Sequence, residues 1–202
     1  MNLTANQIDA LKELINKGIG NAAGVLNTLL CYHVHLQVPV VEILPSPALE
    51  EKRHGLGGES LSIVQLKFKG PFSGVASLVF PTESAAKLVA ILTEDEINHP
   101  DLDSIRIGTL TEVGNIVLNG VMGVIGNELE QRIHYSVPTY VESPIEILVS
   151  PSSPNFSSTV IWAQARFAVE QHQIDGDVIL LLEVGSFDAL LAMLNRELGA
   201  SS

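Results

Sequence analysis

Cysteine is almost missing: Cys31 stands alone in 202 residues, which excludes an intrachain disulfide and a cysteine-based zinc cage. Basic residues are scarce too, 11 against 23 acidic ones. The resulting formal charge of −12 argues against nucleic acid or anionic lipid as a partner and favours a protein that offers positive charge. No apolar run is expected to reach the roughly eighteen residues a membrane span needs. The N-terminus MNLTANQIDALKE lacks the basic and apolar regions of a signal peptide, so a cytoplasmic protein without membrane insertion is expected. A glycine-rich phosphate loop, a nucleophile elbow and clustered metal ligands are absent as well, so the chain spells out no complete active site. What it does have is 46% hydrophobic residues, enough for a well-buried core.

Thr4 followed by Gln7 has the form of a capping box, and Ile8, Leu11, Ile15, Ile19, Ala22, Leu26 and Leu29 then recur at helical spacing. A long amphipathic helix over about 5–30 follows. CYHVHLQVPVVEIL (31–44) is rich in β-branched residues, and Pro39 restricts where a strand can pair, so one extended strand or two short ones are expected. Residues 45–58 form a breaker-rich loop. Ser60 to Lys69 and Gly74 to Phe80 form an antiparallel pair joined at Gly70-Pro71, Thr82 to Leu92 a short helix, and Asn98-His99-Pro100 a linker. The second half repeats this order: a helix over about 104–131, strand material from 133 to 149, a loop at 150–158, strands at 159–171 and 176–184, and a helix at 186–198. Each half alone buries too little surface to be secure. The expectation is one α/β (α+β) domain over 1–202, a pseudo-twofold duplicated unit of about 1–98 and 101–200 with one mainly antiparallel sheet.

The duplication is marked by three residues. Glu13, Asn16 and Pro39 recur as Glu112, Asn115 and Pro138, each 99 residues on, whereas Gly74 and Gly176 are 102 apart, so a loop has gained three residues. At about 100° per residue, Asp9, Glu13, Asn16, Gly20 and Asn27 share one stripe of the first long helix, opposite its apolar face. Gly20, Ala23 and Gly24 continue as a strip of small residues that another protein's backbone could approach. On the second long helix Gly108, Glu112, Asn115 and Asn119 align opposite Leu110, Val113, Val117, Val121 and Val124. Gly114, Gly120 and Gly123 there each cost about 1 kcal/mol relative to alanine, which suggests close packing or docking.

A single Glu-x-x-Asn on an exposed helix is usually just solvated. Two, each with a proline at the same distance, call for a chemical account. A carboxamide both donates and accepts, so it can hold a water in line with an electrophile without taking a proton; this suits phosphoryl transfer. The adjacent carboxylate would be repelled by a phosphoryl group and is better used to anchor a partner's lysine. The remaining parts of the site must then come from the substrate.

These residues resemble the CheC/CheX/FliY family of chemotaxis phosphatases. The family's signature is Asp or Ser, three residues, Glu, two residues, Asn, twenty-two residues, Pro. Asp9, Glu13, Asn16 and Pro39 fit it throughout; Glu112, Asn115 and Pro138 fit it with Gly108 in the first place. The resemblance covers nearly the whole chain, and two sites make it most similar to CheC-like members. It implies a hydrolase that dephosphorylates a CheY-type response-regulator receiver domain. Asn16 and Asn115 would orient water, and Glu13 and Glu112 would pair with the receiver's lysine. Asp9 would assist the first site, while Pro39 and Pro138 would shape the chain beneath the helices. The receiver would supply the phosphorylated aspartate and Mg2+, leaving this chain with no cofactor or metal of its own. Lys17 adds a positive charge near the first docking edge, and Gly108 removes a polar group from the second site, so the first is expected to be the stronger.

A non-catalytic docking or regulatory module, for a receiver or for a CheD-like deamidase, is the alternative. A flagellar-switch element is disfavoured because no switch domain follows residue 202. His33 and His35 are expected to be solvated rather than metal ligands, Trp162 and Phe167 to pack in the core, and Glu94-Asp95-Glu96 to form a solvated turn.

Overall fold

The computed structural model describes residues 4–36, 40–45, 60–70, 73–93, 102–143, 159–183, 192, 195 and 196. Helix α1 (Ala5–Leu30) starts where the sequence predicts: Thr4 Oγ1 accepts from the Gln7 N–H at 3.3 Å and Gln7 Oε1 accepts from the Thr4 N–H at 2.9 Å. Strands β1 (His35–Leu36) and β2 (Val40–Pro45) follow, then β3 (Leu61–Lys69) and β4 (Gly74–Pro81), helix α2 (Thr82–Leu92) and helix α3 (Leu102–Glu128). Strands β5 (His134–Tyr135), β6 (Thr139–Ser143), β7 (Thr159–Val169) and β8 (Ile174–Glu183) complete the described elements, with a single 3-10 turn, Glu170–His172, between the last two.

The class is α+β, with one antiparallel eight-stranded sheet ordered β1-β7-β8-β4-β3-β5; β2 extends the β1 edge along β7, and β6 extends the β5 edge along β3. The order reads the same from either edge once residues 99 to 102 apart are equated. Each half's edge strands therefore pair with the other half's hairpin. The two edges also break alike. The register pairs Phe68 with Tyr135 but Gln65 with Thr139, so Ser136–Pro138 carry one residue more than the strand opposite, a bulge. The pairing of Leu36 with Phe167 and of Val40 with Gln164 shifts by the same single residue. Proline lacks an N–H, and an edge bulge is where a sheet tolerates that.

The three-residue gain falls in the β7–β8 turn. Phe68 pairs with Gly74 and Phe167 with Gly176; a Cβ added at Gly74 would strike the Leu181 carbonyl oxygen and lie 2.7 Å from Phe68 Cζ, and one added at Gly176 would lie 2.6 Å from Phe167 Cζ. The phenylalanines are 99 apart and the glycines 102, so the extra residues lie between them, where the 3-10 turn sits.

Helices α1, α2 and α3 pack on one sheet face. Leu11, Ile15, Ile19 and Leu26 of α1 and Leu110, Val117, Val121 and Ile125 of α3 are buried with Val64, Leu66, Phe80, Phe167 and Leu180 of the sheet. Each such side chain contributes about 1.5–3 kcal/mol by leaving water. A smaller cluster on the opposite face holds Trp162, fully buried, with Ile63, Val79, Ile179 and Leu181. Trp162 and Phe167 are thus core residues.

Several sequence expectations need adjustment. The second long helix ends at Glu128 rather than 131, because Glu130 turns left-handed (φ 51°) and the Gln131 N–H closes onto the Gly126 carbonyl at 2.8 Å, a Schellman stop. Cys31, 99 residues earlier, takes the same conformation (φ 55°) after α1. By length and composition α3 does pass for a membrane-crossing helix, since only isolated polar residues interrupt it; here its apolar length packs against α1 and the sheet. Of the loop expected at 45–58 only Pro45 is described, as the end of β2; the rest of it, the loop expected at 150–158, the Asn98-His99-Pro100 linker and Glu94-Asp95-Glu96 lie outside the described residues. So does all but three residues of the expected 186–198 helix.

Candidate functional site

Helices α1 and α3 run antiparallel in direct contact. Lys17 meets Glu128, Gly18 lies against Val121, and Asn21 lies against Gly120. At the crossing the backbones come so close that a Cβ added to Gly18 would lie 3.0 Å from the Val121 carbonyl oxygen. Gly114 is seated on the sheet, where an added Cβ would strike the Val64 side chain. Gly123, in contrast, faces open space, so the glycines of α3 do not serve one purpose.

This packing leaves the predicted polar stripes outward. Asp9, Glu13 and Asn16 are exposed on successive turns of α1, while Leu11, Leu14, Ile15 and Gly18 on its other side are buried. On α3, Gly108 and Glu112 are exposed and Asn115 is half-buried. Each Glu–Asn pair is therefore brought together on a helix anchored by its opposite side. Pro138 sits half-buried in the β5–β6 bulge; Pro39 lies outside the described residues. Two members of the sequence-derived strips fall elsewhere. Ala23 is buried, so only Gly20 and Gly24 remain as an open small-residue strip. Asn27 turns its side chain to the helix end, where Oδ1 accepts from the Val34 N–H at 2.6 Å and fixes the turn into β1.

The surroundings of the two pairs differ. Lys17 Nζ lies 2.7 Å from Glu128 Oε2 and 3.8 Å from Glu13 Oε1, a bridge from α3 to the first carboxylate. Among the described residues Glu112 has no ion pair, and the residue after Asn115, matching Lys17, is Ile116. Ile116 lines an open groove of about 550 Å³ with Gly20, Asn21, Gly24, Val25, Thr28 and Leu29. Shifted by 99, Leu29 becomes Glu128, so the place matching this apolar groove is spanned by the Lys17–Glu128 bridge.

The carboxamides differ as well. Asn119 Nδ2 donates to Asn115 Oδ1 at 2.6 Å, whereas Asn16 makes no hydrogen bond among the described residues. Sequence reasoning singled out Lys17 but not Glu128, Ile116 or the coupling of Asn119 to Asn115. Comparing every position with its partner 99 residues away would have flagged Lys17 against Ile116 and Gly20 against Asn119.

At the base of α3, Arg106 Nη2 donates to Glu142 Oε1 at 3.1 Å and Ser62 Oγ at 3.2 Å, tying the helix to β3 and β6. Exposed His33 and His35 stack edge-on at 4.5 Å, and among the described residues no cluster of three metal-ligating side chains forms.

No family model matches the chain. A curated relative, the CheY-P phosphatase CheC of Bacillus subtilis (strain 168), is 22% identical over 210 residues, covering 95% of each protein. The crystal structure of Thermotoga maritima FliY matches with a TM-score of 0.75 at 17% identity, over 97% of this chain and 99% of that one. The CheX–CheY–BeF3–Mg2+ complex from Borrelia burgdorferi matches with a TM-score of 0.59 at 15% identity, over 83% of this chain and 96% of that one. The FliM middle domain from H. pylori shares the fold too, with a TM-score of 0.67 at 13% identity over 95% of this chain and 99% of that one, so fold alone does not assign an activity. Along nearly its whole length, and in fold, the chain is thus similar to chemotaxis proteins of the CheC/CheX/FliY kind.

Proposed function

We propose that this protein is a cytoplasmic hydrolase that accelerates loss of the aspartyl phosphate from a CheY-type receiver domain. Its one domain, built from repeats of about 1–98 and 101–200 around a pseudo-twofold axis, would present two sites. Asn16 and Asn115 hold a water in line with phosphorus. The water oxygen bonds to phosphorus as the bond to the aspartate oxygen breaks, leaving a free carboxylate and inorganic phosphate. Glu13 and Glu112 pair with the receiver's lysine and set the docking angle. Asp9 supports the first site, and Pro39 and Pro138 shape the sheet edges below. The receiver brings the acyl phosphate and Mg2+, so this chain has only to orient, which is the main catalytic task in phosphoryl transfer.

The supporting observation is the outward display of two Glu–Asn pairs, exposed but for the half-buried Asn115, on helices whose other sides are buried. The CheC relative's activity and the CheX relative's complex with CheY and Mg2+ favour a receiver as the partner. The test is phosphate release from a phosphorylated CheY-type receiver. Asn16→Ala with Asn115→Ala should return the rate to the receiver's own while circular dichroism stays unchanged. Tight stoichiometric binding of the receiver, or of a CheD-like deamidase, with no rate effect from the wild-type protein would replace this reading with a docking module.

A further inference from the structure

The carboxamides differ in what lies one turn further along the helix. Asn119, four residues after Asn115 and half-buried like it, donates from Nδ2 to Asn115 Oδ1 at 2.6 Å. The matching residue in α1 is Gly20, which has no side chain to offer, and Asn16 stands exposed. The terminal torsion of asparagine is broad, so an unheld carboxamide presents its oxygen and its nitrogen in many orientations. A hydrogen bond to the oxygen removes that freedom. It distinguishes the two ends, fixes the amide plane and occupies one lone pair, leaving the other lone pair and both Nδ2 hydrogens for a water.

We propose that Asn119 is a positioning residue for Asn115, and that this pre-set carboxamide makes the second site the faster of the two. The inference deepens the proposed function, since it rests on Asn115 orienting the attacking water. Asn119 touches neither water nor phosphate in this scheme; it acts only through Asn115. Ordering one side chain ahead of reaction corresponds to roughly a three- to tenfold gain in rate.

The experiment is phosphate release from a CheY-type receiver charged with a small acyl-phosphate donor, measured with the full chain in single-site backgrounds. With Asn16→Ala, leaving the second site, adding Asn119→Ala should lower kcat roughly three- to tenfold with KM unchanged. With Asn115→Ala, leaving the first site, the same addition should change nothing. Alanine is the better helix former, so a folding defect is not expected, and coincident melting curves check it. Equal rates with and without Asn119 in the Asn16→Ala background, or equal losses in both backgrounds, would overturn the positioning role. So would a second site that is silent while the first still works. A wild-type protein that leaves the receiver's own rate unaltered would remove the underlying function instead, and this inference with it.

Discussion

The candidate site on α1 and the candidate site on α3 occupy matching places in the same sheet-and-helix frame, yet their surroundings differ in opposite senses. On α1 the carboxamide makes no hydrogen bond among the described residues and the carboxylate is engaged, with Lys17 bridging Glu13 to Glu128. On α3 the carboxylate has no ion pair among the described residues, and the carboxamide is held by Asn119. An internal lysine beside Glu13 competes with a lysine arriving from a partner, so the first site should lose in docking. A pre-set amide should gain in turnover, so the second should win in chemistry. Matching backbones thus carry sites that only their neighbours distinguish.

The hardest blow to the comparison is removal of each asparagine in turn. Phosphate-release assays should show Asn115→Ala costing more than Asn16→Ala, and the pair together losing on the order of a hundredfold. A larger loss from Asn16→Ala would reverse the ranking. Next comes the seating of the helices. Gly114→Ala drives a methyl into Val64 and should cost about 1–3 kcal/mol in denaturant unfolding, whereas Gly20→Ala meets nothing within 4 Å and should stabilise by up to about 1 kcal/mol. A smaller effect is expected from Lys17→Ile, which gives α1 the residue α3 has. With Asn115→Ala present to isolate the first site, KM for the receiver should fall about threefold, in keeping with the modest worth of exposed ion pairs. The smallest should come from Gly108→Asp. It restores the polar group that the signature expects, and its Cβ enters open space, so titrating receiver against the Asn16→Ala background should show no more than about a twofold change.

Much of this was legible in the sequence because the relevant physics is local. The capping box at Thr4 and Gln7, the apolar spacing of α1, and the β3–β4 pair all follow from short-range patterns, and each is present at or within a residue of the expected ends. The Glu–Asn pairs were legible because an offset of 99 is visible without coordinates, and three-residue spacing puts both side chains on one face. What escaped was set by contact between helices. Ala23 looked like part of an open strip until α1 packed down and buried it, and Asn27 looked like a surface residue until the chain turned back toward β1. Helix α3 has apolar residues on several sides because it packs against both α1 and the sheet, so its boundaries were less legible than those of α1. The bridge from Lys17 to Glu128 joins residues 111 positions apart, and no window along the chain contains both.

The crossed pairing of the edges bears on synthesis. While residues 1–98 are all that has emerged, β3 and β4 have only each other: the outer edge of β3 awaits β6, that of β4 awaits β8, and β2 waits for β7. A hairpin with both edges open is a template for pairing with a neighbouring chain. Cutting such a protein between its halves would therefore yield two sticky fragments rather than two independent folded units, and nascent chains crowded on one message have reason to exchange halves.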